Sequence, residues 1–225
     1  DSNRTYTERQ LADEQVKEPR FKPVTVRWHK SKDGKWMWKG DTSSDEICGH
    51  MFGYYMYYEL AADEAEKEIV SKHVAKIVDH LMAHDFTLND KDGKPTRWGV
   101  WSPDKLNRDP EWSPDRNLNS MELLSFIKLA YHMTGDEKYQ REYLRLIKEE
   151  KYLDNMSNIP KQNPAWFIYY DVILAAYAYP ILIRCEKDPE LLKFYEEHMD
   201  NWMEQRKGDK NPLINFIYSY SRNKN

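Results

Sequence analysis

The sequence is poor in several features that would point directly to a function. It carries only two cysteines in 225 residues. Cys48 and Cys185 fall in two different apolar, helix-patterned segments, which suits a pair of buried free thiols. A disulfide between them is the alternative, and geometry decides it. No apolar run approaches the ~20 residues needed to cross a bilayer, so no membrane partner is expected. Neither sign of charge dominates: 34 Lys and Arg stand against 38 Asp and Glu, for a net charge of −4. Without a basic excess, no nucleic-acid partner is expected. The opening stretch Asp1–Glu14 lacks the apolar core of a signal peptide, so the expectation is a mature chain or a piece of a longer one.

Motifs for common chemistries are also missing. There is no Gly-rich phosphate loop, no G-x-S-x-G and no Cys–His arrangement with a known signature, so no cofactor is called for. His80 and His84 form an i, i+4 pair close to His73, but no acid or cysteine completes a metal-ligand spacing, and no metal is expected. Asn89-Asp90-Lys91-Asp92-Gly93 has too few acids for a calcium loop and reads as a hairpin turn.

What the chain has in quantity is aromatic residues: 8 Trp, 16 Tyr and 7 Phe. Residues 1–41 read as an irregular N-terminal arm punctuated by Pro19, Pro23 and Gly34, with no helix of normal length. Within it, Val24–Trp28 and Lys35–Trp38 are candidate short strands about a turn at 32–35. Beyond it, residues 42–225 are dominated by helical periodicity. The first helix runs from Ser43 to Leu60, with Ser43 and Glu46 placed as a capping box, and the second covers about 65–83. Residues 86–101 break the pattern and predict a β-hairpin around Gly93, followed by a long polar loop over 102–117. A third helix is expected from Asn119 or Ser120, with Asn119 and Glu122 as its capping box and Leu118 with Leu123 as its staple. It ends at Gly135. A fourth helix covers about 137–150, a loop 151–164 and a fifth helix 165–185, kinked at Pro180. Asp188-Pro189 opens a sixth, and the tail 212–220 is apolar enough to pack on the body.

These helices pair. Asp63, Asp136 and Asp188 each sit in a short acidic turn joining an apolar helix to a more charged one, giving three helical hairpins with insertions between them. A helix apolar all round is buried, and a one-sided helix lies outside. The expected fold is therefore all-α: consecutive helical hairpins with an inner and an outer layer, forming all or part of an α/α-toroid, with a small β-hairpin insertion. The long loops would gather where the inner helices begin.

The densest polar cluster lies at such a beginning, in Lys39–His50. Glycoside hydrolysis needs two carboxyl groups flanking the scissile bond, and Asp41, Asp45 and Glu46 are the candidates, although capping alone would account for Glu46. Glu46, His50 and Tyr54 follow one another at i, i+4, i+8. His50 reads either as a core histidine or as a donor to substrate. A second cluster, Arg97-Trp98-Gly99-Val100-Trp101, offers flat rings for the apolar face of a pyranose and a guanidinium for carboxylate or hydroxyl groups. The alternative is that alternating Trp98 and Val100 anchor the hairpin to the core. Trp38, Trp112 and Trp166 extend the same argument.

Together, Lys39–His50, Arg97–Pro103, Leu118–Ser125 and Asn211–Tyr218 resemble uncharacterised bacterial proteins grouped with the six-hairpin, α/α-toroid glycosidase-like proteins, over roughly residues 28–220. That resemblance implies a carbohydrate-active protein, secreted or periplasmic, acting on an oligo- or polysaccharide. It also implies more hairpins than the three read here, so a further segment or a partner chain would complete the ring. Similar proteins open the fifth helix with an acidic cluster, where this chain has Lys161–Trp166. The leading expectation is a glycoside hydrolase. A non-catalytic sugar-binding or protein-interaction repeat is the alternative. The third reading is a polysaccharide lyase with a Tyr or His base and Arg97 against a uronate.

Overall fold

The computed structural model describes residues 6–18, 20, 22–24, 26–157 and 169–223. The chain is mostly helical, as the periodicity predicts. The arm departs from expectation by forming a helix, α1 (Glu8–Lys17), because Thr7 and Gln10 make a reciprocal capping box and Leu11 is buried beneath it. Two short strands follow, β1 (Trp28–Lys30) and β2 (Met37–Lys39), paired antiparallel with Trp28 opposite Lys39.

The first hairpin consists of α2 (Ser44–Leu60) and α3 (Glu64–Ala83). Ser43 caps α2 and the Glu46 carboxylate accepts its backbone N–H at 2.8 Å, so the expected capping box is present. Asp63 and Glu66 do the same for α3. The insertion forms β3 (Thr87–Asn89) and β4 (Pro95–Val100), an antiparallel pair around Gly93 at φ +73°. Gly99 is required in β4: a Cβ there would meet Thr96 Oγ1 at 2.6 Å and Leu88 Cβ at 2.8 Å. The polar loop that follows is more structured than expected, with a π-helical turn at Asp104–Arg108 and a 3₁₀ turn at Pro110–Trp112.

The second hairpin pairs α4 (Arg116–Thr134) with α5 (Glu137–Lys148), joined through Gly135 in the left-handed region at φ +68°. The expected start of α4 is corrected by one turn. Asp115 is its N-cap, and Asn119 and Glu122 lie inside the helix rather than forming a capping box. The expected loop at 151–164 contains a short helix, α6 (Tyr152–Ser157). The third hairpin is α7 (Tyr169–Arg184) with α8 (Pro189–Glu204), capped by Asp188 with Pro189 at the first helical position. The expected opening of the fifth helix at 165, and Trp166 with it, lies outside the described residues. The apolar tail forms α9 (Pro212–Arg222), packed on α7 and α8.

Burial separates two layers. Every residue of α4 from Asn119 to Ala130 is buried. By contrast, α3 buries a single stripe, Val70, Val74, Val78 and Leu81, and α5 buries Tyr139, Tyr143 and Leu146. That is the 3.6-residue period of a helix lying on a core. The inner helices α2, α4 and α7 pack pairwise on one another, including α2 directly on α7. A single continuous core runs through all three hairpins. Cys48 and Cys185 are both buried and free, so the thiol reading holds over the disulfide.

Candidate functional site

The inner helices run parallel. Their C-terminal ends meet where His132 Nε2 of α4 lies 2.7 Å from Glu59 Oε1 of α2, beside Arg184 of α7. At the opposite end, acidic side chains from all three converge. Asp45 lies in the first turn of α2, Asp115 caps α4, Glu122 follows in the second turn of α4, and Asp171 lies near the start of α7.

Glu122 is fully buried. Trp101 Nε1 donates to its Oε2 at 2.7 Å, and its Oε1 has no hydrogen-bond partner. Burial pushes its pKa up to about 8; the Trp101 N–H works against that shift, while Asp45, Asp171 and Asp115 add to it. A glutamic acid with this pKa carries its proton at neutral pH. Asp171 is half-buried and is pushed up to about 6, first by burial and then by Asp115 and Asp45. The positive ends of the helix dipoles would favour ionised carboxylates here; in Glu122 and Asp171, desolvation and mutual repulsion outweigh them. The Cys48 thiol faces the same cluster and is pushed well up by burial, by Glu122 and by Asp45.

The surroundings of Glu122 are tightly fixed. Tyr152 Oη donates to the Trp101 carbonyl at 2.5 Å, and Asn119 Nδ2 donates to the Val100 carbonyl at 2.9 Å. Asn155 bridges Ser120 and Asn107. The β-hairpin is thereby locked to α4 and α6, and the indole of Trp101 is held on the glutamate. Arg20 of the arm pairs with Asp115 at 2.6 Å and lies over the rings of Trp98 and Trp112.

The residues expected from the sequence divide among several places. Asp45 belongs to the carboxyl cluster and is exposed. Asp41 is buried and does structural work: its Oδ1 accepts the backbone N–H of Arg97 at 3.0 Å, and its Oδ2 lies 3.6 Å from Arg27. Glu46 is engaged by Ser43 and by Lys39, whose proximity holds its pKa down against the opposing effect of burial. His50 is exposed, which removes the reading of a core histidine, and its ring stacks on Tyr54 at 5.8 Å. At 100° per residue, Glu46, His50 and Tyr54 lie on a different face of α2 from Asp45 and Cys48. That stripe therefore does not join the carboxyl cluster.

In the second cluster, Trp101 is fully buried and presents no face to a sugar. The guanidinium groups of Arg20 and Arg97 both lie over Trp98, and Arg97 also approaches Glu18 at 3.8 Å. Val100 and Trp101 are buried in the core, as the anchoring reading requires of the hairpin, whereas Trp98 is half-buried and covered by these guanidinium groups. Trp38 is exposed, and Trp166 lies outside the described residues.

Glu122 and Asp171 were not singled out from the sequence. Glu122 carried a capping reading, and Asp171 sits in an otherwise apolar helix. The usable signal was an acid at an interior helical position flanked by apolar residues, Met121–Leu124 and Asp171–Leu174. A pocket of about 220 Å³ at the other end of the inner helices is lined by Glu59, His132, Arg184 and Glu186. Its polar side chains are satisfied by one another and by main-chain groups, so the perturbed carboxyls mark the better candidate. Among the described residues, no three His, Cys, Asp or Glu side chains gather closely enough to hold a metal ion, and no helix is long and apolar enough to cross a membrane. No protein family, no curated protein and no solved structure matches this chain.

Proposed function

We propose that this chain is a carbohydrate-active protein, a glycoside hydrolase working with carboxyl groups at the N-terminal ends of its inner helices. One observation carries the reading: acids from α2, α4 and α7 converge at one end of the inner helices, where burial first and the neighbouring Asp45 and Asp115 second raise the pKa of Glu122 and Asp171. Opposed acid and base roles need carboxyl groups whose environments push their pKa values apart. In this assignment, half-buried Asp171 is the proton donor and exposed Asp45 supplies the second carboxyl. Glu122 is a positioning residue, a neutral carboxylic acid behind them held by Trp101. The substrate is an oligo- or polysaccharide and the compartment secreted or periplasmic.

The finer fold reading, an α/α-toroid, belongs to the same proposal. It rests on the hairpin order and the two layers. The direct contact of α2 with α7 favours a closed three-hairpin body over an open arc of a larger ring. The lyase alternative has less support, because Arg97 is already engaged by Trp98 and approached by Glu18. A non-catalytic sugar-binding role needs none of these pKa shifts.

The test is release of reducing ends from a panel of neutral and acidic polysaccharides, comparing the wild type with Asp45→Asn. Cleavage that is lost in the variant, with the helical circular-dichroism signal intact, supports the hydrolase. Unsaturated product absorbing in the ultraviolet would favour the lyase. Binding without any turnover would favour the sugar-binding role.

A further inference from the structure

The β1–β2 hairpin carries two exposed indoles with an exposed methionine between them. Trp36 is 72 % exposed, Met37 45 % and Trp38 39 %. Trp36 and Trp38 are two residues apart in extended backbone, so they share one face at a spacing of about 6–7 Å. Neither sits on a floppy tip. The Ser31 N–H donates to the Trp36 carbonyl at 2.9 Å, and the Trp36 N–H donates to Ser31 Oγ at 3.0 Å. Behind Trp38, the His29 ring lies 4.5 Å away. Gly34, at φ +70°, closes the turn.

Charge is segregated on the same hairpin. Between Arg27 and Lys39 the chain has five Lys or Arg and a single acid, Asp33, although the whole chain carries a net charge of −4. Asp33 is occupied by the turn: its Oδ1 accepts from Ser31 Oγ at 2.6 Å and from the Lys35 N–H at 3.1 Å. Lys30, Lys32 and Lys35 are exposed and form no ion pair among the described residues. Lys30, opposite Met37, lies on the reverse face of the pair from Trp38, whereas Lys32 and Lys35 belong to the turn beside Trp36. Exposed indoles next to uncompensated ammonium groups suit a polymer with apolar ring faces and regularly spaced anions.

We infer that the β1–β2 hairpin is a binding subsite for an acidic polysaccharide, with Trp36 and Trp38 stacking on sugar rings and Lys32 and Lys35, at the turn beside them, facing carboxylate or sulfate groups. This rests on the carbohydrate reading above and specifies its substrate class. Position supports it. The hairpin runs through Gly40 and Asp41 into the cap of α2, and Lys39 contacts Glu46. The subsite therefore lies at the same end of α2 as Asp45.

The test is affinity electrophoresis of the full chain in gels containing polygalacturonate, alginate or chondroitin sulfate, with a neutral glucan gel alongside. Retardation by at least one acidic glycan is expected. Trp36→Ala with Trp38→Ala weakens it by roughly tenfold or more. Replacing Lys32 and Lys35 by Gln weakens it several-fold and flattens its dependence on salt. The inference is overturned if no acidic glycan retards the protein, or if the variants migrate as the wild type does. Equal retardation by the neutral glucan, unchanged in the lysine variant, overturns it as well. So does capture by anionic phospholipid vesicles through these residues in the absence of glycan binding. Retardation without cleavage of any glycan would sink the hydrolase assignment and leave the subsite standing.

Discussion

The indole N–H of Trp101 donates to Glu122 Oε2 at 2.7 Å, and both side chains are fully buried. This one contact joins the β-hairpin insertion to the most buried helix of the fold. It also places a carboxylic acid with a raised pKa behind exposed Asp45 and half-buried Asp171. Each partner has a reading of its own in the sequence, a sugar platform for Trp101 and a cap for Glu122, and the pairing replaces both.

Glu122 makes stability depend on pH. Its folded pKa, about 8, lies above the ordinary carboxylate value, so the folded chain holds a proton that the unfolded chain releases. The stabilising contribution is complete below the ordinary carboxylate range and is lost as pH rises through about 8, at up to about 1.4 kcal/mol per pH unit. Asp171 acts in the same direction up to about pH 6. Thermal unfolding between pH 5 and 9 should show the melting temperature falling as pH rises, with Glu122→Gln markedly flatter. A variant with the same slope as the wild type would show that Glu122 is ionised in the fold.

A second buried charge lies toward the other end of the inner helices. Lys128 Nζ is 2.8 Å from Glu186 Oε2, with both side chains almost completely inaccessible. Tyr143 Oη also donates to Glu186, and the other carboxylate oxygen accepts the N–H groups of Lys187 and Asp188. Removing one partner leaves an uncompensated interior charge, so Lys128→Met should cost about 3–5 kcal/mol in urea unfolding. Adding Glu186→Gln should recover a large part of that loss. Additive losses would show that the pair is not coupled.

The hairpin depends on a glycine for close approach rather than for backbone freedom. Gly99→Ala would push a methyl group into Leu88 and Thr96, with an expected cost of about 1–3 kcal/mol. Because Val100 and Trp101 follow directly, the same change should disturb the Glu122 contact, read as a shift of its titration in carboxyl ¹³C NMR. An unshifted titration would mean that the hairpin does not position Trp101.

Most of the helical skeleton is legible in the sequence because capping is local. Ser43 with Glu46, Asp63 ahead of α3, Asp188-Pro189 and Gly135 each satisfy orphan backbone groups within a few residues, and the apolar stripes of α3 and α5 follow the helical period. Helix α1 escapes that reading because its stripe is a single residue, Leu11. The candidate site is less legible. Asp45 stands out because it lies beside a helix start. Glu122 and Asp171 become partners only when α4 and α7 pack, a long-range event without a local signal. Asp41 attracts attention for its position, and its partners, the Arg97 N–H and Arg27, explain it structurally.

The most direct test of the carboxyl-cluster account is the pH profile of kcat/KM on a cleaved glycan, measured for the wild type and for Asp171→Asn. As proton donor, Asp171 must be protonated, so wild-type activity should fall as pH rises through about 6. Asp171→Asn should lose activity by about 10²–10⁴-fold and lose that limb of the profile. An Asp171→Asn enzyme that retains wild-type kcat/KM and the same alkaline limb would contradict the account.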